Sequence, residues 1–322
     1  MAKSSLDKKF DKIREREESK SFSTKKRSRI ISKFVNNKLA VFGLIIFSII
    51  LLATIFAPLL SPYDPMRVDL RSMRQSPSFD HWFGTDNTGR DVFTRVLFGG
   101  RVSIFIGLGS AILSALVGIA VGCYAGYKGG WIDVIALRIS EIFMSFPQII
   151  LVLLLVSITG QSLFNLMAIF ILTGWGGMYR LARARMLSLR EEEYVQALRS
   201  FGLSTFTICY KHMLPNALSP IMVNITLSTA MFILTEAGLS FLGLGVPLNI
   251  PTWGNILNVA QDILVLQNYW WMWGPVGLVI SVFVLCVNFI GDGLRDSTDP
   301  SQQGLSLIHI SEPTRPERIS YA

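Results

Sequence analysis

Charge is what this sequence has least of. Only 16% of its 322 residues are charged, 51% are hydrophobic, and the mean hydropathy is +0.46. Runs without Asp, Glu, Lys or Arg extend over 39–63, 102–127, 142–179, 212–235 and 263–291. That distribution excludes the two soluble domains that the length alone would suggest. Cysteine and histidine are equally sparse: Cys123, Cys209 and Cys286, with His81, His212 and His309, are scattered without metal-ligand or disulfide spacing. No Gly-x-x-x-x-Gly-Lys-Ser/Thr occurs, so the chain has no loop of its own for hydrolysing ATP. His-Glu-x-x-His and Gly-x-Ser-x-Gly are missing too, which removes the usual signatures of a membrane-embedded hydrolase. The sequence implies no cofactor, no metal site and no catalytic set.

What is present is enough apolar length to cross a membrane repeatedly. A helix of about 20 residues spans roughly 30 Å of hydrocarbon. The run 142–179 suffices for two such helices, with Thr159-Gly160-Gln161-Ser162 as the polar turn between them. The expected fold is an all-α bundle of six transmembrane helices, over 38–60, 102–127, 135–158, 163–182, 216–235 and 272–292.

The net charge of +8 gathers in a basic segment, 1–37, directly before the first span. Lys and Arg in that place hold the N-terminus in the cytoplasm and attract anionic lipid headgroups, so the charge points to membrane lipid and not to nucleic acid. The span that follows is too long for a signal-peptide core. Six spans return residues 293–303 to the cytoplasm. The Arg-rich loop 183–213 then lies inside, and the Gly- and Trp-containing loop 236–271, which lacks Lys and Arg, lies outside. The loop 61–101 should be external with an amphipathic helix, yet it carries Arg67, Arg71, Arg74, Arg90, Arg95 and Arg101 among five aspartates.

Two sets within the spans carry alternative readings. Gly118, Gly122 and Gly126 mark one helix stripe, which lets a neighbouring helix approach closely or lines a substrate path. Arg138 and Glu141 stand at i and i+3, as a structural ion pair or as part of an ion relay.

The hydrophilic segment 183–213 is the most informative. Tyr194, Ala197, Leu198 and Phe201 fall at i, i+3, i+4 and i+7, giving one apolar face with Glu193, Gln196, Arg199 and Ser200 around it. Gly202 is a helix stop. Ser204 caps a second short helix through Lys211, and Pro215 breaks the chain before the fifth span. Three consecutive glutamates, Glu191 to Glu193, oppose an anionic membrane, so the face calls for a protein partner.

These residues resemble a known family. Glu193-Tyr194-Val195-Gln196-Ala197-Leu198, Gly202 and His212-Met213-Leu214-Pro215-Asn216 are similar to the EAA coupling loop of binding-protein-dependent ABC importer permeases, with Leu198 where the motif has its second alanine. Asn37 to Gly43, Pro62-Tyr63-Asp64-Pro65, Phe83 to Asp91 with Arg95, Glu236 to Gly245, Trp253-Gly254, and Gly291 to Asp296 with Asp299-Pro300 look like the C subunits of oligopeptide and dipeptide permeases. The resemblance covers about residues 34–300 and implies the type I ABC importer permease fold. It also implies docking of an ATPase through Glu193, Tyr194, Ala197, Leu198, Phe201, Gly202, Leu214 and Pro215. The partners implied are a second permease subunit, two ATP-binding cassette ATPase subunits and an extracytoplasmic substrate-binding protein. The cargo implied is di- or oligopeptide, with nickel or another small solute as the alternative. An ion-coupled secondary transporter is the rival from another class, and its sign, inverted repeats with paired interrupted helices, is not evident. The tail 304–322 departs from the family pattern and resembles translated sequencing-adapter sequence, so it is assigned no function.

Overall fold

A computed structural model describes residues 31–298, and the structure below is that of those residues. Most of the basic segment 1–37, the end of 293–303 and the tail 304–322 lie outside them. The described chain is helical apart from its loops and one isolated bridge, Thr85 to Asp91.

Helix α1 spans Lys38–Ile55 and starts where the Asn37 side chain accepts the amide of Ala40 at 3.2 Å. Helix α2 spans Val92–Lys128, 37 residues or about 55 Å, well beyond the hydrocarbon thickness. Its start corrects the expectation for 61–101. Residues 92–101 form no separate amphipathic helix but are the first turns of α2. Asp91 caps the helix, accepting the Thr94 amide at 2.7 Å, ten residues before the uncharged run begins.

The span expected over 135–158 is likewise not one helix. Helix α3, Gly130–Met144, and helix α4, Gln148–Thr159, meet at an angle of 89°. The cause is Pro147, which lacks an amide donor and forces the residue before it out of helical conformation. Helix α5 follows, Leu163–Arg190, then a short α6, Glu193–Ser200. A π-helical turn over Thr207–Met213 runs directly into α7, Leu214–Phe241. No break occurs at Pro215: it follows the π turn directly, and the two run on as one helix over Thr207–Phe241. Pro220 also lies inside α7. A short α8, Trp253–Leu257, and the long α9, Gly274–Thr298, complete the order.

By length and composition four helices can cross a membrane: α1, α2, α7 with its π turn, and α9. The bent α3–α4 pair makes a fifth if it counts as one span. The expected six differ by α5, which is long enough but gives over its second half to Arg180, Arg183, Arg185 and Arg190. Many large apolar residues of the candidate spans face outward, among them Leu39, Phe42, Ile45, Ile49 and Leu52 on α1. A lipid-facing helix requires this, since lipid and not a protein core covers those side chains.

The interior is organised on α2 and α5. A Cβ at Gly118 would stand 2.7 Å from the Trp175 carbonyl oxygen, and one at Gly122 would stand 2.6 Å from that of Tyr179. One at Gly126 would meet the Arg183 carbonyl oxygen at 2.7 Å. The stripe therefore holds the α2 and α5 backbones in contact along three turns. At one end of α2 the buried core joins Val92 and Val96 to Ile233, Trp253 and Phe283; at the other it joins Cys123 to Met186, Val195, Ile208 and Met213.

The loop before α2 is tied down by its own charges. Asp86 accepts the amides of Thr88 at 2.8 Å and Arg90 at 3.0 Å, and pairs with Arg90 Nε at 2.8 Å and Arg95 Nη1 at 2.5 Å. Burial pushes the Asp86 carboxyl up, but Arg95 and Arg90 outweigh it and leave it below the ordinary carboxylate value. Arg74 bonds Asn87 at 2.7 Å and lies over the Tyr269 ring. Arg101 donates to the Thr54 carbonyl at 2.6 Å and to that of Ile55 at the end of α1. Four of the six arginines in 61–101 are thus structural, which explains a positive count that sits poorly with an external loop.

Candidate functional site

Helix α6 is joined to the bundle on one side and bare on the other. Val195, 2% exposed, belongs to the core at the α6 end of α2, and Leu198 packs against the same core. The helix ends in a double turn: the Gly202 amide bonds the Arg199 carbonyl at 3.0 Å, and the Leu203 amide bonds that of Leu198 at 3.3 Å. This Schellman arrangement needs a left-handed residue, and Gly202 has φ +74° with open space where a Cβ would be. It brings Leu203 beside Leu198 on the inner side, both half-buried in the same core.

Outside stand Glu193, Tyr194, Ala197, Phe201 and Gly202, with Phe201 80% exposed. The sequence grouped Leu198 with Tyr194, Ala197 and Phe201, and the structure separates them: Leu198 anchors the helix while the other three face out. Of the remaining residues implied for this site, Leu214 is half-buried against the core and Pro215 is exposed. The elbow is fixed by Asn216 Nδ2 donating to the Tyr194 hydroxyl at 3.2 Å and by the Tyr210 hydroxyl donating to the Ala120 carbonyl at 2.5 Å. The outer face of α6 is thus uncovered within the chain, and the π turn beyond it runs directly into α7.

Arg138 and Glu141 do meet, at 2.9 Å, but with side chains 76% and 44% exposed. A stronger pair escaped the sequence. Arg183 grips Asp133 with two bonds, Nε–Oδ1 at 2.5 Å and Nη2–Oδ2 at 2.6 Å, and the Tyr179 hydroxyl adds a third to Oδ1 at 3.1 Å. Fifty residues separate the partners, so no local spacing signals them; the Arg183 backbone against Gly126 is the one trace.

At the opposite end of α2 the Glu236–Gly245 and Trp253-Gly254 segments come together. Glu236 is fully buried, and its carboxyl accepts from Ser103 at 2.9 Å and Ser240 at 2.8 Å. Ser103 Oγ in turn accepts the Trp253 amide at 3.1 Å, and Trp253 Nε1 donates to the Val96 carbonyl at 3.0 Å. Gly254 lets α8 lie on α7, since a Cβ there would be 2.7 Å from the Ala237 Cα. Gly245 and Gly254 therefore serve close packing, whereas Gly238 and Gly243 have open space where a Cβ would stand. Among the described residues no group of three His, Cys, Asp or Glu side chains could hold a metal ion.

Comparison with known proteins gives consistent relations. Residues 118–303 match the family model of the binding-protein-dependent transport system inner membrane component, and residues 27–77 match that of the N-terminal TM domain of oligopeptide transport permease C. A putative peptide permease protein of Brucella suis is 42% identical over 278 residues, 86% of this chain and 92% of that one. The oligopeptide transport system permease protein OppC of Bacillus subtilis is 42% identical over 83% of this chain and 87% of its own length. The dipeptide transport system permease protein DppC of the same organism is 40% identical over 82% of each. Among solved structures, a chain of the inward-facing MetNI methionine ABC transporter superimposes with a TM-score of 0.52 at 18% identity, covering 64% of this chain and 97% of that one. That likeness bears on fold alone.

Proposed function

The chain belongs to the family of binding-protein-dependent transport system inner membrane components, and from that premise we propose that it forms half of the membrane pathway of an ATP-driven importer of di- or oligopeptides. The peptide assignment is supported by the names of the relatives, OppC and DppC. A second permease subunit completes the pathway, a binding protein delivers cargo outside, and two separate ATPase subunits supply the energy. Both termini and α6 lie on the cytoplasmic side.

One observation carries the coupling: α6 is anchored by Val195 and Leu198 while Tyr194, Ala197 and Phe201 stand uncovered. In the proposed cycle, ATP closes the two ATPase subunits, and α6, docked by its outer face, moves with them. The Schellman turn at Gly202 and the π turn into α7 leave no slack at the elbow. The displacement then passes into α5 and α7 and reorients the bundle from inward-facing to outward-facing.

Ala197→Asp places a charge on the outer face without touching the anchor. In vesicles holding the whole assembly, this substitution abolishes ATP-dependent uptake and releases the ATPase on purification, while the melting temperature of the chain is unchanged. Gly202→Trp, which strains the left-handed turn, uncouples as well. Unaltered co-purification of the ATPase with both variants refutes docking at this face. Uptake that is indifferent to ATP but abolished by collapsing an ion gradient refutes the importer reading itself.

A further inference from the structure

At the end of α2 opposite to α6 a cavity of about 260 Å³ opens beneath the 61–91 loop, lined chiefly by Tyr63, Phe79, Trp82, Phe93, Asp80 and Asp91. Phe79 is fully exposed and Trp82 largely so. Three of the rings have ring neighbours: Trp82 and Phe93 lie 4.9 Å apart, and Tyr63 lies 4.9 Å from the His81 ring. Asp91 is committed, with Oδ1 on His81 Nδ1 at 2.9 Å and Oδ2 accepting from Thr94. Asp80 differs, since no hydrogen bond or ion pair reaches its carboxylate among the described residues. No Lys or Arg lines the cavity.

Four aromatic side chains line the cavity, and beside them stands an exposed carboxylate without a partner among the described residues. An anion would meet repulsion from both, and a neutral apolar group would leave Asp80 unanswered. A cation on an apolar stem satisfies both sets at once, its charge on Asp80 and the ring faces and its methylenes along the rings. The volume falls below the roughly 300–1,000 Å³ typical of sites for whole small molecules, so it suits the end group of a larger one. We propose that this cavity is a binding site for a guanidinium or primary ammonium group carried on a short alkyl stem, as in a basic side chain or an amine terminus. The site stands on cavity geometry and does not depend on the importer reading.

The test uses the full chain in lipid nanodiscs, titrated with arginine amide, with the tripeptide Arg-Ala-Ala and with uncharged norleucine amide, while tryptophan emission is recorded. Saturable changes are expected with both cationic probes and none with norleucine amide. Trp82→Phe removes the signal. Asp80→Asn weakens binding by about tenfold, the order expected when a charge-assisted partner is lost. Both residues are at the surface, so the melting temperature should stay constant in either variant. Tighter binding of the tripeptide than of arginine amide assigns the group to peptides, and equal binding assigns it to free amines; either result supports the site. The proposal is overturned if neither cationic probe saturates, if norleucine amide responds equally, or if Asp80→Asn binds as the parent does.

Discussion

Gly122→Ala adds a single methyl group, and its consequence can be worked from the α2–α5 seam. The new Cβ would stand 2.6 Å from the Tyr179 carbonyl oxygen, 2.9 Å from Ala182 Cβ and 3.2 Å from the Arg183 amide nitrogen. The first and third are backbone atoms, which cannot rotate away, so the two helices must part by several tenths of an ångström. Overpacking of this kind costs about 1–3 kcal/mol, against about 0.5–1 kcal/mol gained when alanine replaces glycine in a helix. The net loss is about 0–2.5 kcal/mol, centred near 1 kcal/mol, and each kcal/mol lowers Tm by about 1.5 °C for a chain of this size. Gly238→Ala is the matched control. It also lies within a long helix, but nothing comes within 4 Å of its new Cβ. It should therefore raise Tm slightly through helix propensity alone. Thermal unfolding of the detergent-solubilised chain, followed by helical circular dichroism, measures both. Shifts of the same sign and size in the two variants would refute close backbone contact as the role of the stripe.

Two further outcomes follow from the charges. Arg183→Ala leaves the two-bond acceptor Asp133 without its cation and should cost about 1–3 kcal/mol, whereas Arg138→Ala, at an exposed pair, should change stability by less than about 1 kcal/mol; equal losses would show that burial does not distinguish them. Asp86 has a folded value below its ordinary 3.8, so its contribution is fully present above about pH 4 and is lost as pH falls through the folded value. Asp86→Asn should accordingly lower Tm at pH 7, because it leaves the buried Arg95 uncompensated, and flatten the further loss on acidification; an acid limb identical to that of the parent counts against the Asp86 network.

Much of the architecture was legible because the membrane imposes simple rules. Charge-free runs overlap α1, α2, α7 and α9, the glycines at four-residue spacing lie where α2 meets α5, and Gly202 follows the last residue of α6 by two. What remained hidden has physical causes. Hydropathy averages over Pro147, which sits inside a long uncharged run, so the right-angled break between α3 and α4 left no trace in the average. The start of α2 was masked because Arg95 and Arg101 look like loop charges until their partners, Asp86 and the last carbonyls of α1, are known. On α6 the periodicity grouped Leu198 with Tyr194, Ala197 and Phe201, but the turn at Gly202 draws Leu198 inward to Leu203. That is a tertiary decision which an eight-residue pattern cannot record. Asp133 with Arg183, and Glu236 with Ser103, are pairings across helices, beyond the reach of any local spacing.

The Glu236 cluster has a consequence for how the chain is made. Ser103 and Glu236 are 133 residues apart, and Trp253 follows later still. While the chain is being synthesised, α2 must wait in the bilayer with the Ser103 hydroxyl turned onto its own helix, as serines in membrane helices can do. Glu236 then enters an environment where a bare carboxyl is costly, and it finds its partners only once α2 is in place and the α8 segment has arrived. The Glu236 cluster therefore closes only after Trp253 has been made, so a ribosome-released fragment ending before Trp253 should expose there the sites that quality-control proteases cut.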